Sequence, residues 1–154
     1  MKKLNYFVLL IPFLLLSCSK DSDSTVPVPV TPTTYSVVGL WKTTSSVLNG
    51  VEYFGGANPV KSETYLFYAN GEFDVDSYSD TNYTALFGYA YGTYTIPNTS
   101  IINLSADEYN SSNVLINTYN NLSCQVVKLN ATQLEIKILN FPNPNNIYVK
   151  KFVR

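Results

Sequence analysis

Glu72, Asp74 and Asp76 stand two residues apart in GEFDVDSYSD, alternating with Phe73 and Val75. In an extended strand that spacing projects all three carboxylates from one face. Oxygen ligands so placed could take up Ca²⁺, and a carboxylate pair could serve glycoside hydrolysis. The EF-hand loop pattern is absent, nothing marks one carboxyl as buried, and a solvated outer face gives the same alternation. No metal is therefore expected here. The chain has no histidine, so the commonest proton shuttle and metal ligand is missing. It carries no GxSxG, HExxH, Walker or dinucleotide fingerprint. Neither enzymatic activity nor a cofactor is expected. Two thiols remain. Cys124, in NLSCQVVKL, alternates in phase with Leu122 and Val126, as a small buried hydrophobe would. Cys18 stands between an apolar run and a polar tail.

The surroundings of Cys18 give its thiol a role. Lys2 and Lys3 precede an unbroken apolar stretch from Tyr6 to Leu16. This stretch is shorter than the roughly 20 residues a membrane-spanning helix needs, and it fits the charged and apolar regions of an export signal. Leu15-Leu16-Ser17-Cys18 then resembles the lipobox of bacterial lipoproteins. The resemblance implies cleavage after Ser17, a thioether from Cys18 to a diacylglycerol, and acylation of the new amino terminus. Residues 1–17 are read as the signal peptide and Cys18 as the lipidation site. Acyl burial is worth about 0.8 kcal/mol per CH₂, and two chains already anchor stably. Ser19 stands where an aspartate would signal inner-membrane retention. Lys20-Asp21-Ser22-Asp23 resembles the acidic export signal of surface-displayed lipoproteins. The expected location is the outer membrane of a Gram-negative bacterium, in either the periplasmic or the outward-facing leaflet. With Cys18 lipidated, Cys124 has no disulfide partner.

Residues 18–36 are read as a lipidated tether rich in Pro, Ser and Thr. The alternating prolines of VPVPVTPTT favour a semi-stiff, polyproline-like spacer of about 3.1 Å per residue. Residues 37–154 suffice for one small domain. Seven Lys or Arg face nine Asp or Glu there, so no basic field exists to gather nucleic acid. Helical periodicity is nearly absent. Tyr, Val, Ile, Thr and Phe fill short runs broken by turn residues. Strands are expected at 38–48, 60–68, 72–79, 85–96, 101–106, 114–119, 122–130, 133–141 and 147–153. Asn70-Gly71 is the strongest hairpin signal among the turns. Such spacing implies an all-β domain, either a closed antiparallel up-and-down barrel or, alternatively, a β-sandwich.

The opening VVGLWKTTSS places Gly39-x-Trp41 at the first strand, and this resembles the signature of lipocalins. Further segments follow in order. YLFYANGEF, with Phe67 and Phe73 flanking its turn, resembles the hairpin of bacterial lipocalin-like lipoproteins. Gly92-x-Tyr94-x-Ile96 resembles their middle strand, VVKLNATQLEIKI their late hairpin and YVKKFVR their closing strand. The family implies an eight-stranded barrel whose floor is built from Gly39, Trp41 and a basic residue of the last strand. Arg154 is the candidate for that residue, with Lys151 second. The threonine-aspartate-tyrosine-type loop motif is not found, the helix that follows the barrel in typical lipocalins is not expected here, and the domain is shorter than most. A barrel filled by its own side chains would suit that length.

If Phe67 and Phe73 point inward, period-two counting places Tyr65, Val75, Tyr94 and Ile96 inward as well. Leu66, Tyr68, Tyr78, Tyr89 and Tyr91 then face outward beside the carboxylates. Two non-enzymatic functions are expected from this division. The first is capture of a small hydrophobic or aromatic ligand by an interior lined with Trp41, Tyr65, Phe67, Phe73 and Tyr94. The second is binding of a glycan or a partner protein through the outer tyrosine face. The membrane is the expected partner through the N-terminal lipid, and the protein is expected to be a monomer.

Overall fold

The computed structural model describes residues 35–54, 59–139, 141 and 143–154. The signal sequence, Cys18 and the tether up to Thr34 lie outside these residues. The described residues belong to the second of the chain's two units, Thr34–Arg154.

Nine strands follow one another: β1 (Gly39–Leu48), β2 (Val51–Glu52), β3 (Ser62–Phe67), β4 (Glu72–Tyr78), β5 (Leu86–Asn98), β6 (Ile101–Asn110), β7 (Leu115–Leu129), β8 (Gln133–Leu139) and β9 (Ile147–Val153). From β3 to β9 each strand pairs antiparallel with the next, and β1 pairs with both β3 and β9. The β1–β9 ladder runs from Lys42 opposite Val153 to Leu48 opposite Tyr148. It closes β1 and β3–β9 into an eight-stranded, lipocalin-like up-and-down barrel, with β2 as a short addition to β1. Closure pairs the edges that a sandwich would leave open.

The burial pattern shows why these residues form these strands. On β3, Ser62, Glu63, Tyr65 and Phe67 are buried; on β9, Tyr148, Lys150 and Phe152 are. Inward residues alternate with outward ones, as the pleat demands. Two hairpins differ in kind. Asn49 and Gly50 both have positive φ and join β1 to β2 as a two-residue type I′ turn. Asn70-Gly71, expected as the strongest turn signal, instead sits in a longer loop. There Gly71 has positive φ and the Gly71 amide donates to the Tyr68 carbonyl.

The expected strands at 114–119 and 122–130 form one strand, β7. Asn120-Asn121 reads as a break by composition, but it is a bulge against β6. Leu104 faces Leu122 and Ala106 faces Tyr119, while Asn121, at positive φ, donates its amide to Ser105 Oγ. The extra residue resets the alternation, so Tyr119 and Leu122 both point inward. Ile96 departs from the expected inward position and is 47% exposed. The β5–β6 register slips between Thr95 and Asn98, and period-two counting ends there. Gly92 permits a close approach of β5 to β6: a Cβ at that position would lie 1.9 Å from the Ser105 carbonyl oxygen.

Candidate binding cavity

One end of the barrel is closed by aromatic side chains. Trp41 is fully buried, and its indole N–H donates to the Val37 carbonyl at 2.6 Å. The Arg154 guanidinium lies over the Trp41 ring, 4.4 Å from its centroid. Arg154 Nη2 also donates to the carbonyls of Ser36 and Val38, which ties the chain entering the barrel to the end of the last strand. Gly39, at φ +123°, sits beside the guanidinium in a conformation that side chains other than glycine rarely adopt. Lys151, the second candidate for this place, points outward and approaches Glu135 at 3.8 Å.

Phe67 packs above this floor against Phe73 at 5.8 Å and edge-on against Tyr94 at 5.1 Å. Tyr94 also locks the β3–β4 loop: its hydroxyl donates to the Tyr68 carbonyl, and its amide to the Gly71 carbonyl. Trp41, Phe67 and Tyr94 are thus committed to packing.

Toward the other end the interior opens into a cavity of about 190 Å³. Its apolar wall comprises Phe73, Val75, Leu104, Leu122, Ile136 and Ile138. Of the ligand-contact residues expected from the sequence, only Tyr65 and Phe73 line it. Tyr53, Phe87, Ile116 and Phe141 also line it, the first three of them solvent-exposed. The domain's length suits a filled barrel, while the leading expectation was an open, ligand-holding interior. The floor half is filled, and the other half is open.

The polar groups of the cavity form two sets. Lys150 Nζ meets Glu63 Oε2 at 2.5 Å and donates to the Tyr65 hydroxyl at 2.7 Å. Lys150 is 5% exposed and Glu63 8%. Rings of Tyr65 and Tyr148 flank the ammonium at 5.1 Å each, and the Ser46 hydroxyl donates to the Tyr148 hydroxyl. Burial opposes the charge on Lys150, but Glu63, Tyr65 and Tyr148 outweigh it and hold the ammonium well above its ordinary range. Burial, then the Glu63 charge, pushes the Tyr65 phenol up. On β6 and β7 the Tyr119 hydroxyl donates to the Glu108 carboxylate. Burial and that hydrogen bond raise the Tyr119 phenol.

The sequence reading missed Glu63, Lys150, Glu108 and Tyr119. Three of them carried a signal: Glu63-x-Tyr65-x-Phe67, Tyr148-x-Lys150-x-Phe152 and Leu104-x-Ala106-x-Glu108 each put a charge in phase with core residues.

Outside the barrel, Tyr89, Tyr91 and Tyr109 form a parallel cluster with centroid separations of 5.3 to 6.3 Å. Tyr68 donates to Asp74 at 2.6 Å and Tyr78 to Asp76 at 3.3 Å, while Glu72 accepts from Asn70. The carboxylates singled out in the sequence are thus bonded to neighbouring side chains on the outer face. Cys124 is fully buried, and burial raises its thiol to about 12. No family model matches the chain, and no curated protein or solved structure matches it either.

Proposed function

We propose that the protein is a lipid-anchored, non-enzymatic binding module of the outer membrane that captures a small hydrophobic or aromatic molecule in its barrel. The observation that carries this reading is the 190 Å³ cavity above a closed aromatic floor. Its wall is mostly apolar, with a few convergent polar groups to orient a ligand, as small-molecule sites typically are. An engineered apolar cavity of ~150 Å³ takes up benzene, so this one suits a single-ring molecule better than a long acyl chain. The anchor rests on the sequence around Cys18: basic start, short apolar run and lipobox.

Native mass spectrometry tests the capture reading. The full-length chain is incubated with envelope-lipid extract and growth medium and then sprayed intact. A small adduct is expected, and Ala106→Leu, which extends a side chain into the cavity, should abolish it. A clean mass for the unsubstituted chain would contradict the reading. The cluster of Tyr89, Tyr91 and Tyr109 favours a second reading, a docking face for a glycan or partner protein. These rings lie parallel to one another at packing distance, which leaves ring edges and hydroxyls more available than ring faces.

A further inference from the structure

We propose that the cavity selects a single-ring amine, held as its ammonium by Glu108; this rests on the cavity being the ligand site. Among the described residues, three charged side chains line the cavity: Glu63, Glu108 and Lys150. Glu63 and Lys150 neutralise each other in a direct ion pair. Glu108 has no Lys or Arg within ion-pair distance among the described residues and accepts one hydrogen bond there, from Tyr119. A carboxylate has about four acceptor positions, so Glu108 keeps acceptor capacity for a ligand donor. The formal charge of the lining is negative, and a concave site with walls of low dielectric concentrates that field on its occupant.

The same accounting disfavours an anion. Lys150 gives two of its three donors to Glu63 and Tyr65 and is flanked by the Tyr148 ring, so an entering carboxylate would meet a charge that Glu63 already neutralises. A metal ion is also a poor match, since no group of three His, Cys, Asp or Glu comes together among the described residues. An ammonium on a ring-bearing frame meets three suitable partners. Glu108 supplies the charge, the Tyr119 ring adds a cation–π face, and Leu104, Leu122 and Ile138 cover the ring.

Calorimetric titration of the full-length chain with three single-ring probes tests this: 2-phenylethylamine, the neutral 2-phenylethanol and the anionic phenylacetate. The amine is expected to bind at least tenfold more tightly than the alcohol, and phenylacetate most weakly. Glu108→Gln should remove the amine's advantage over the alcohol. Tyr119→Phe, which removes the hydroxyl that competes for Glu108, should keep that advantage. Equal binding of amine and alcohol would overturn the charge selection while leaving the capture reading intact, and so would tightest binding of phenylacetate. An amine advantage that survives Glu108→Gln would overturn the role of Glu108. If no probe binds and no adduct appears in native mass spectrometry, both readings fail together.

Discussion

The Arg154 guanidinium stacks on the Trp41 ring at 4.4 Å and donates two hydrogen bonds to the carbonyls of Ser36 and Val38. One contact thus binds the first strand, the segment before it and the end of the last strand into a single floor. Trp41→Ala should cost roughly 3–5 kcal/mol, as large aromatic truncations in cores do. Arg154→Ala should cost less, about 1–2 kcal/mol, because the cation–π contact is partly solvated. Denaturant melts measure both. A loss below about 1 kcal/mol for Trp41→Ala would mean that the ring does not hold the floor.

Lys150 and Glu63 form a buried pair whose halves cannot be removed separately without cost. Lys150→Met leaves a buried carboxylate without its partner and should destabilise by about 3–5 kcal/mol. The double variant Lys150→Met with Glu63→Leu should recover most of that loss, since apolar replacement of a buried pair is often neutral. Equilibrium unfolding of the two variants decides. If both lose equally, the pair is not coupled as its 2.5 Å separation implies.

Alkali should unfold the barrel. Burial raises Cys124 from 9.0 to about 12 and also raises Tyr65, Tyr119 and Tyr148 above their ordinary values. Above about pH 9 the unfolded chain releases protons that the folded chain retains, so stability falls as pH rises. The slope is ~1.4 kcal/mol per pH unit for each such proton. For Cys124 the window runs from about pH 9 to 12; the tyrosines add to the loss from about pH 10 upward. Urea midpoints should be flat below about pH 8 and fall steeply beyond 10. Cys124→Ala should delay the onset. A midpoint constant to about pH 11 would contradict the burial of these groups.

Cys18 carries the location. Cys18→Ala should move the protein from the membrane fraction to the soluble fraction, because the tether offers no apolar segment to replace acyl chains. Fractionation with metabolic palmitate labelling checks both parts. Retention in the membrane without label would overturn lipid anchoring at this residue.

Much of the fold is legible in the residues. Trp41, Tyr65, Phe67, Phe73 and Val75 alternate in phase, and counting by twos finds them all inside. Two lapses have local causes. Asn120-Asn121 looks like a turn because asparagine tolerates positive φ, yet the ladder with β6 continues across it. Ile96 continues the inward phase on paper, but the register slips just before Asn98. Of the cavity, the sequence reading held Tyr65 and Phe73 and passed over the charged members. A lysine and a glutamate in phase with core residues look costly to bury until each is known to face the other.

The sequence by itself determined most of the strand spacing and the inward phase wherever a ladder runs unbroken, because pleat and turn chemistry act between neighbours along the chain. Tertiary structure alone decided that Glu63 meets Lys150 across 87 residues, that a bulge turns Tyr119 inward, and that the space between these groups stays open. Those outcomes depend on how the barrel closes and on the register in which β1 meets β9, and strand-by-strand alternation specifies neither.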